Sequence, residues 1–234
     1  MGMVKTLIFY ATPEHECSYL PNKQAKTMFV DPRAEINKTL YTQLTFMGFR
    51  RSGSHYYRPH CEFCSACKAS RIPVERFKAN RNQKRILRKN ADIKIKQAAI
   101  EYNQEHYNLY EKYITQRHAD GDMFPPSKEQ YNSFIVDCPV DSEFIEFRLN
   151  DRLVALAITD CLDDGLSAIY TFYDPDFNQR SLGTYVILWQ IMAVKDQKES
   201  YLYLGYWIKN CRKMAYKNQF SPLEILENEH WIIT

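Results

Sequence analysis

The sequence predicts an α+β protein in two packed parts, and three observations predict it. From Glu143 apolar residues alternate as they do in strands, with turn residues between the runs. Helical spacing flanks that meander on both sides. Residues 1 to about 75 are different: cysteines, prolines, arginines and aromatics are scattered with one helical run among them. The transition near Arg81–Lys96 is a basic stretch rather than a Gly/Ser spacer, so the parts should pack together. The expected division is a cysteine-rich N-terminal recognition domain over 1–80 and a second domain over 81–234.

In the first part, Ile36, Leu40, Leu44 and Met47 recur at helical spacing, and Gly48 stands where a helix stops. Arg71-Ile-Pro-Val-Glu-Arg-Phe77 reads as extended chain, because proline disfavours helix at the residue before it. Gln83–Asn90 reads as a short helix. Ala98–His118 reads as a long one, with Ile100, Tyr107, Tyr110 and Ile114 spaced to face a core. Asp120-Gly-Asp122 and Pro125-Pro126 end it. Ser127-Lys-Glu-Gln130 matches a capping box and starts a helix running to about Val136.

Phe144–Leu149, Leu153–Ile158 and Leu166–Tyr173 then form an antiparallel meander, turning at Asn150-Asp151 and at Leu162–Gly165. The loop Asp174–Thr184, an apolar-faced helix Tyr185–Lys195 and a strand Tyr201–Gly205 follow. Two helices, a three-strand meander, a loop, a helix and a strand is the element order of the acetyltransferase-like (GNAT) fold.

Composition excludes several classes of function. Of the 234 residues, 45% are hydrophobic and 25% charged, as in ordinary globular proteins. The net charge is only +3, so any nucleic-acid contact must come from a local patch. Leu7-Ile-Phe-Tyr-Ala11 is too short for a signal core or a membrane span. Seven cysteines with no such segment predict reduced thiols in the cytoplasm, away from membranes. A monomer is expected.

Three clusters carry chemistry. Cys61, Cys64 and Cys67 are spaced as a turn presents thiolates to a metal, and Cys17 is a distant fourth. Zinc and an iron–sulfur cluster suit the four equally; plain burial of reduced cysteines is the alternative. Arg76–Lys96 is the one strongly basic stretch, facing only Asp92 after Glu75. Arg81, Lys84, Arg85 and Arg88 fall on one face of the predicted helix, which suits a phosphate backbone; a solvated surface is the alternative. Gln179-Arg-Ser-Leu-Gly-Thr184 resembles the pyrophosphate loop of acetyltransferases, where glycine lets backbone amides approach an anion. Gln179, Arg180 and Gly183 therefore join the basic helix as candidate tRNA contacts. Thr184-Tyr185 stand where a coenzyme A enzyme usually carries a second small residue.

Several motifs in order resemble the aminoacyl-tRNA–protein transferases. They are His15-Glu-Cys-Ser-Tyr-Leu-Pro21, Phe29-Val-Asp-Pro32, Gly48-Phe-Arg-Arg-Ser-Gly53, Tyr57-Arg-Pro-His60 and Arg71-Ile-Pro-Val-Glu-Arg76. Tyr203-Leu-Gly-Tyr-Trp-Ile208, Lys213-Met-Ala-Tyr-Lys217 and Phe220-Ser-Pro-Leu-Glu224 are similar to the family's C-terminal signature. The likeness runs from Tyr10 to Glu224 and leans to the bacterial branch that acts on Asp and Glu. Eukaryotic arginyl members carry an adjacent cysteine pair where this chain has spaced ones.

The resemblance implies transfer of leucine from leucyl-tRNA to the α-amine of proteins beginning with Asp or Glu, an N-degron reaction. Its partners would be aminoacyl-tRNA and those proteins. Tyr206, Lys213 and Tyr216 are the candidate catalytic residues. Arg50, Arg51 and Arg71 are candidates for the acceptor carboxylate, Arg71 foremost, because a guanidinium fork binds it in two places. The same arginines would also suit tRNA phosphate. Arginine transfer from arginyl-tRNA, a non-catalytic tRNA-binding module and an acyl-CoA acetyltransferase are the competing readings.

Overall fold

The computed structural model describes residues 6–234. Strands β1 (Phe9–Ala11), β4 (Thr27–Val30), β5 (Arg50–Ser52) and β6 (His55–Pro59) form a small antiparallel sheet in the order β1-β4-β6-β5. The short pair β2 (His15–Glu16) and β3 (Gln24–Ala25) lies between β1 and β4 in sequence, and α1 (Lys38–Phe46) joins β4 to β5. Asn37 starts α1 by accepting the Leu40 amide.

A second sheet of eight strands carries the rest. It consists of β7 (Lys68–Pro73), β8 (Lys94–Ala98), β9 (Ser142–Leu149), β10 (Arg152–Cys161), β11 (Gly165–Tyr173), β12 (Tyr201–Trp207), β13 (Glu224–Glu227) and β14 (His230–Ile233). Their order is β14-β13-β7-β12-β11-β10-β9-β8. The meander read from sequence is β9-β10-β11. Helices α2 (Arg81–Lys89), α3 (Gln104–Arg117), α4 (Lys128–Tyr131), α5 (Leu182–Asp196) and α6 (Arg212–Ala215) complete the mixed α/β fold.

Strand alternation divides the core into two layers. Ile145 and Phe147 of β9 turn towards α2 and α5, meeting Ile86, Leu188 and Ile191. Phe144 on the opposite face meets Tyr110 and Ile114 of α3 and Tyr131 of α4. The small sheet has a third core of its own, in which Tyr41, Leu44 and Tyr56 pack against Leu162 and Tyr203 of the large sheet.

Three expectations need correction. Ala98 does not start the long helix: Lys94–Ala98 is β8, on the rim of the large sheet beside β9, and α3 begins at Gln104 behind the cap Asn103. Lys94-Ile-Lys-Gln-Ala98 offers too few apolar residues to show a period, and its lysines suit an edge that must not pair further. The hairpin β13–β14 was not anticipated either. It is pinned by a long-range contact, β13 pairing with β7. The helix expected from Ser127 to Val136 has an α-helical start that passes into a wider π turn at Asn132–Val136.

The parts share more than a packed surface, because β7 lies in the large sheet between β12 and β13. A buried ion pair adds a second tie. Arg51 on β5 donates from Nε and Nη2 to the two carboxylate oxygens of Asp160 on β10, each at 2.7 Å. Both side chains are fully buried. Tyr41 and Ser142 donate their hydroxyls to the same carboxylate, at 2.7 and 2.6 Å. Removing one partner of such a pair strands a buried charge and typically costs about 3–5 kcal/mol. Asp160→Ala is expected to lose that much in urea unfolding, with an unchanged denaturant slope. Replacing Arg51 and Asp160 together by apolar residues should cost less than either single change.

Candidate active site

The site originates where, among the described residues, the large sheet has its one parallel pairing. β11 and β12 pair over Gly165–Ser167 against Tyr201–Tyr203 and, among the described residues, no further. Gly165 permits this approach, since a Cβ there would lie 1.8 Å from the Tyr201 carbonyl oxygen. Beyond Ser167 the strands splay, although β11 continues to Tyr173 and β12 to Trp207. Splaying frees backbone groups that must find other partners. It also opens a cleft of about 1890 Å³, bounded by both strands, the start of α5 and the N-terminal part.

Arg50 fills the vertex of the splay. Its Nη1 donates to Ser167 Oγ at 2.8 Å and its Nη2 to the Ala168 carbonyl. It runs across Gly205, whose φ is +73° and whose added Cβ would lie 3.0 Å from Arg50 Nε. Arg50 is buried and lines the cleft, and among the described residues it makes no ion pair. A desolvated guanidinium without an anion is a strong attractor for a carboxylate or phosphate.

The other two candidate arginines are already neutralised, and neither lines the cleft. Arg51 is closed on Asp160. Arg71 donates to Glu224 Oε2 at 2.8 Å and lies 3.6 Å from the centre of the Tyr201 ring and 4.3 Å from that of Trp231. Arg71, the foremost acceptor candidate, therefore ties β7 to β13 and already has a carboxylate partner.

The C-terminal motif faces the cleft through residues of unequal freedom. Tyr206 is buried, and its hydroxyl donates towards the Gly48 and Tyr57 carbonyls at 3.0 and 3.3 Å, clasping β12 to the small sheet. Burial holds that phenol protonated, its pKa well above the ordinary value. Lys213 sits at the rim in an exposed pair with Asp120 at 2.7 Å. Tyr216 presents its ring to the cleft.

Lys217 closes the motif, and sequence reasoning passed over it. It is buried, and its Nζ donates to the Tyr206 carbonyl at 2.6 Å and to Met214 Sδ at 3.1 Å. Burial, followed by the Arg50 charge, pulls its pKa down to about 7. The motif had marked the segment, but nothing local in the sequence distinguishes a buried lysine from an exposed one.

Cys17, Cys61, Cys64 and Cys67 are partly buried free thiols, all facing the cleft, with buried Cys211 beside them. Burial first, and then the sulfurs of Cys17, Cys61, Cys64 and Cys211, push the Cys67 thiol up to about 12. Among the described residues no three His, Cys, Asp or Glu side chains are arranged to hold a metal ion. The residues converge without the geometry expected for zinc or an iron–sulfur cluster, and no step is assigned to a metal.

Outside the cleft, Arg81, Lys84, Arg85 and Arg88 all stand exposed on α2, and none forms an ion pair among the described residues. The opposite face is held in place: Ile86 is in the core, and Gln83 donates to the Gln219 carbonyl at 2.9 Å, two residues from Lys217. Arg180 is spent locally, whereas Gln179 is exposed and, among the described residues, engages only its backbone carbonyl. Arg180 pairs with Asp92 at 2.8 Å, and the Gln179 carbonyl accepts from Lys89. Gly183 lines the cleft at the first turn of α5.

Residues 15–85 match the family model for the N terminus of arginine-tRNA-protein transferase, and residues 105–227 match that for its C terminus. The chain belongs to the arginine-tRNA-protein transferase family. Full-length relatives agree. The chain is 57% identical over 231 residues to the aspartate/glutamate leucyltransferase of Marinobacter nauticus, covering 99% of this chain and 98% of that one. It is 52% identical over 232 residues to the enzyme of the same name from Hahella chejuensis, covering 99% of each. The crystal structure of FemX aligns with 74% of this chain and 61% of its own at 10% identity and a TM-score of 0.47. In this transferase-family chain, the two matched segments meet at the cleft: Arg50 comes from the first, and Ser167, Gly205 and Lys217 from the second.

The passage of Arg50 over Gly205 makes a coupling that can be measured. Gly205→Ala adds left-handed strain, about 1–2 kcal/mol, and a collision with Arg50. Shortening Arg50 to Ala should remove the collision and leave only the strain. A double-mutant cycle in urea is therefore expected to give a coupling of about 0.5–3 kcal/mol.

Proposed function

We propose that the chain transfers leucine from leucyl-tRNA to the N-terminal α-amine of proteins beginning with Asp or Glu, in the N-degron pathway of protein degradation. Its curated relatives carry the name of that activity. The observation that carries the reading to this chain's own residues is Arg50, a buried cation facing the cleft without an acidic partner among the described residues. An acceptor beginning with Asp or Glu brings the missing carboxylate. Residues 1–80 then act as the recognition domain and residues 81–234 as an acetyltransferase-like (GNAT) transfer domain; the splayed, parallel β11–β12 pair supports the second part. Cytoplasmic action fits this reaction.

The reaction needs positioning more than strong acid–base chemistry. Aminoacyl-tRNA is an activated ester, and an α-amine has a pKa near 7.7–8.0, so part of it is neutral at pH 7. The amine nitrogen attacks the ester carbonyl, an amide bond forms, and the bond to the ribose oxygen breaks. The nitrogen gives up a proton and the ribose oxygen gains one. Arg50 holds the acceptor side chain, so that the amine enters the cleft in one orientation. The basic face of α2 tracks the tRNA backbone, and Gln83 fixes that face relative to the turn bearing Lys217. Tyr216 and Gly183 line the cleft, which supports a role for them at the 3′ end.

Two tests follow. A labelled donor panel of leucyl-tRNA, arginyl-tRNA and acetyl-CoA against a Glu-initiated peptide should give transfer from leucyl-tRNA; transfer from arginyl-tRNA alone would change the donor. A charge-assisted bond contributes about 1.5–3 kcal/mol, so Arg50→Ala should cut the Glu-over-Gln preference by roughly tenfold to more than a hundredfold. Arg50→Lys should restore part of it. An unchanged ratio would place the acceptor elsewhere. Neutralising Arg81, Lys84, Arg85 and Arg88 together should lower the slope of log affinity for tRNA against log salt by about 3.

A further inference from the structure

The Lys217 amine is buried at the cleft against a carbonyl, a thioether and, 5.3 Å away, the centre of the Tyr216 ring, and among the described residues no anion pairs with it. A neutral amine has two N–H donors and one lone pair, whereas an ammonium has three donors and none. Two acceptors meet Nζ: the Tyr206 carbonyl and Met214 Sδ. Neither can take a proton at neutral pH. The titratable and charged groups facing the amine are Arg50 from β5, Cys211 at the head of α6, Tyr206 from β12 and Tyr216 next in the chain. None of them is a carboxylate, and Lys213 on α6 is turned to the rim with Asp120. With both donors used, the lone pair of the neutral amine is the unused valence of a side chain that lines the cleft.

We propose that Lys217 is the proton acceptor for the incoming α-ammonium, a role that rests on the transferase reading above. The ammonium gives one proton to Lys217 Nζ and becomes the nucleophile. Its nitrogen then forms the amide bond as the ester C–O bond breaks. The second proton passes from that nitrogen to the departing ribose oxygen, and Lys217 returns its proton to solvent. Arg50 and Lys217 thereby divide an acidic N-terminal residue between them: carboxylate to the guanidinium, ammonium to the amine. A base with a pKa near the operating pH suits such a transfer. The value of about 7 lies close to that of the group it must deprotonate.

The test compares Lys217→Met and Lys217→Arg with wild type, all checked for unchanged thermal unfolding. The acceptor amine, with a pKa near 7.7–8.0, is about 9–17% neutral at pH 7, so each variant should lose kcat by about sixfold to tenfold at pH 7, with KM for the peptide and affinity for tRNA kept within about threefold. The deficit should shrink above about pH 8.5, where the acceptor amine is already neutral. It should nearly vanish with a Glu-initiated peptide whose terminal amine is replaced by an aminooxy group, which is neutral at pH 7. A deficit that is constant with pH, or equal for the aminooxy acceptor, overturns the proposal. The Lys217 carbon-13 Cε resonance, assigned by its loss in Lys217→Met, reads the amine without any substrate. A midpoint near 7 is expected, and a midpoint above 10 overturns the assignment. Absence of leucyl transfer by the wild type, with the midpoint near 7, counts against the donor reading alone.

Discussion

Two adjacent arginines on one short strand organise this molecule, and the strand's period of two separates their duties. Successive side chains of β5 leave opposite faces. Arg51 enters the core and locks onto Asp160, joining the small sheet to β10. Arg50 must therefore leave the other face, where the β11–β12 splay receives it. The anchored residue aims the functional one. A shift of one residue in the β5–β6 register would exchange the two faces, taking Arg51 off Asp160 and Arg50 out of the cleft. The four-fold satisfaction of Asp160 makes such a slip costly.

The splay is likewise more than an opening. Parting two strands leaves backbone groups without ladder partners, and an unpaired buried group is expensive. Arg50 satisfies the Ala168 carbonyl and Ser167 hydroxyl with some of its N–H groups, and on the proposed reading the remainder would meet the acceptor carboxylate. Gly205 is the concession that lets the guanidinium pass. The same residue thus stabilises the gap and charges it, which explains a buried arginine with no carboxylate of its own.

Local pattern made the meander, α1, α2 and α5 legible, because alternation and helical spacing are short-range signals. What stayed hidden is long-range. The insertion of β7 between β12 and β13 is a pairing between segments far apart in the chain, and no window of sequence contains it. Arg71 illustrates the consequence. In sequence it is another motif arginine beside the cysteines; in space Glu224, Tyr201 and Trp231 enclose it, and all three arrive from the C-terminal part. Composition of the segment could rank Arg50, Arg51 and Arg71 together but not tell which had an anion. β8 failed for the opposite reason: its five residues carry a local signal too thin to read.

On the proposed reading, Arg50 would also link selection to chemistry. Its charge is one of the causes that hold Lys217 low, second only to burial. A carboxylate arriving on Arg50 offsets part of that charge and would let the amine rise, making it a better proton acceptor once an acidic residue is in place. An uncharged acceptor such as Gln brings no such offset. Discrimination between Glu and Gln would then be expressed in the chemical step as well as in binding, since only the acidic residue both fills the site and tunes the base. This arrangement spends binding interactions where they change reactivity, which raises kcat rather than merely lowering KM.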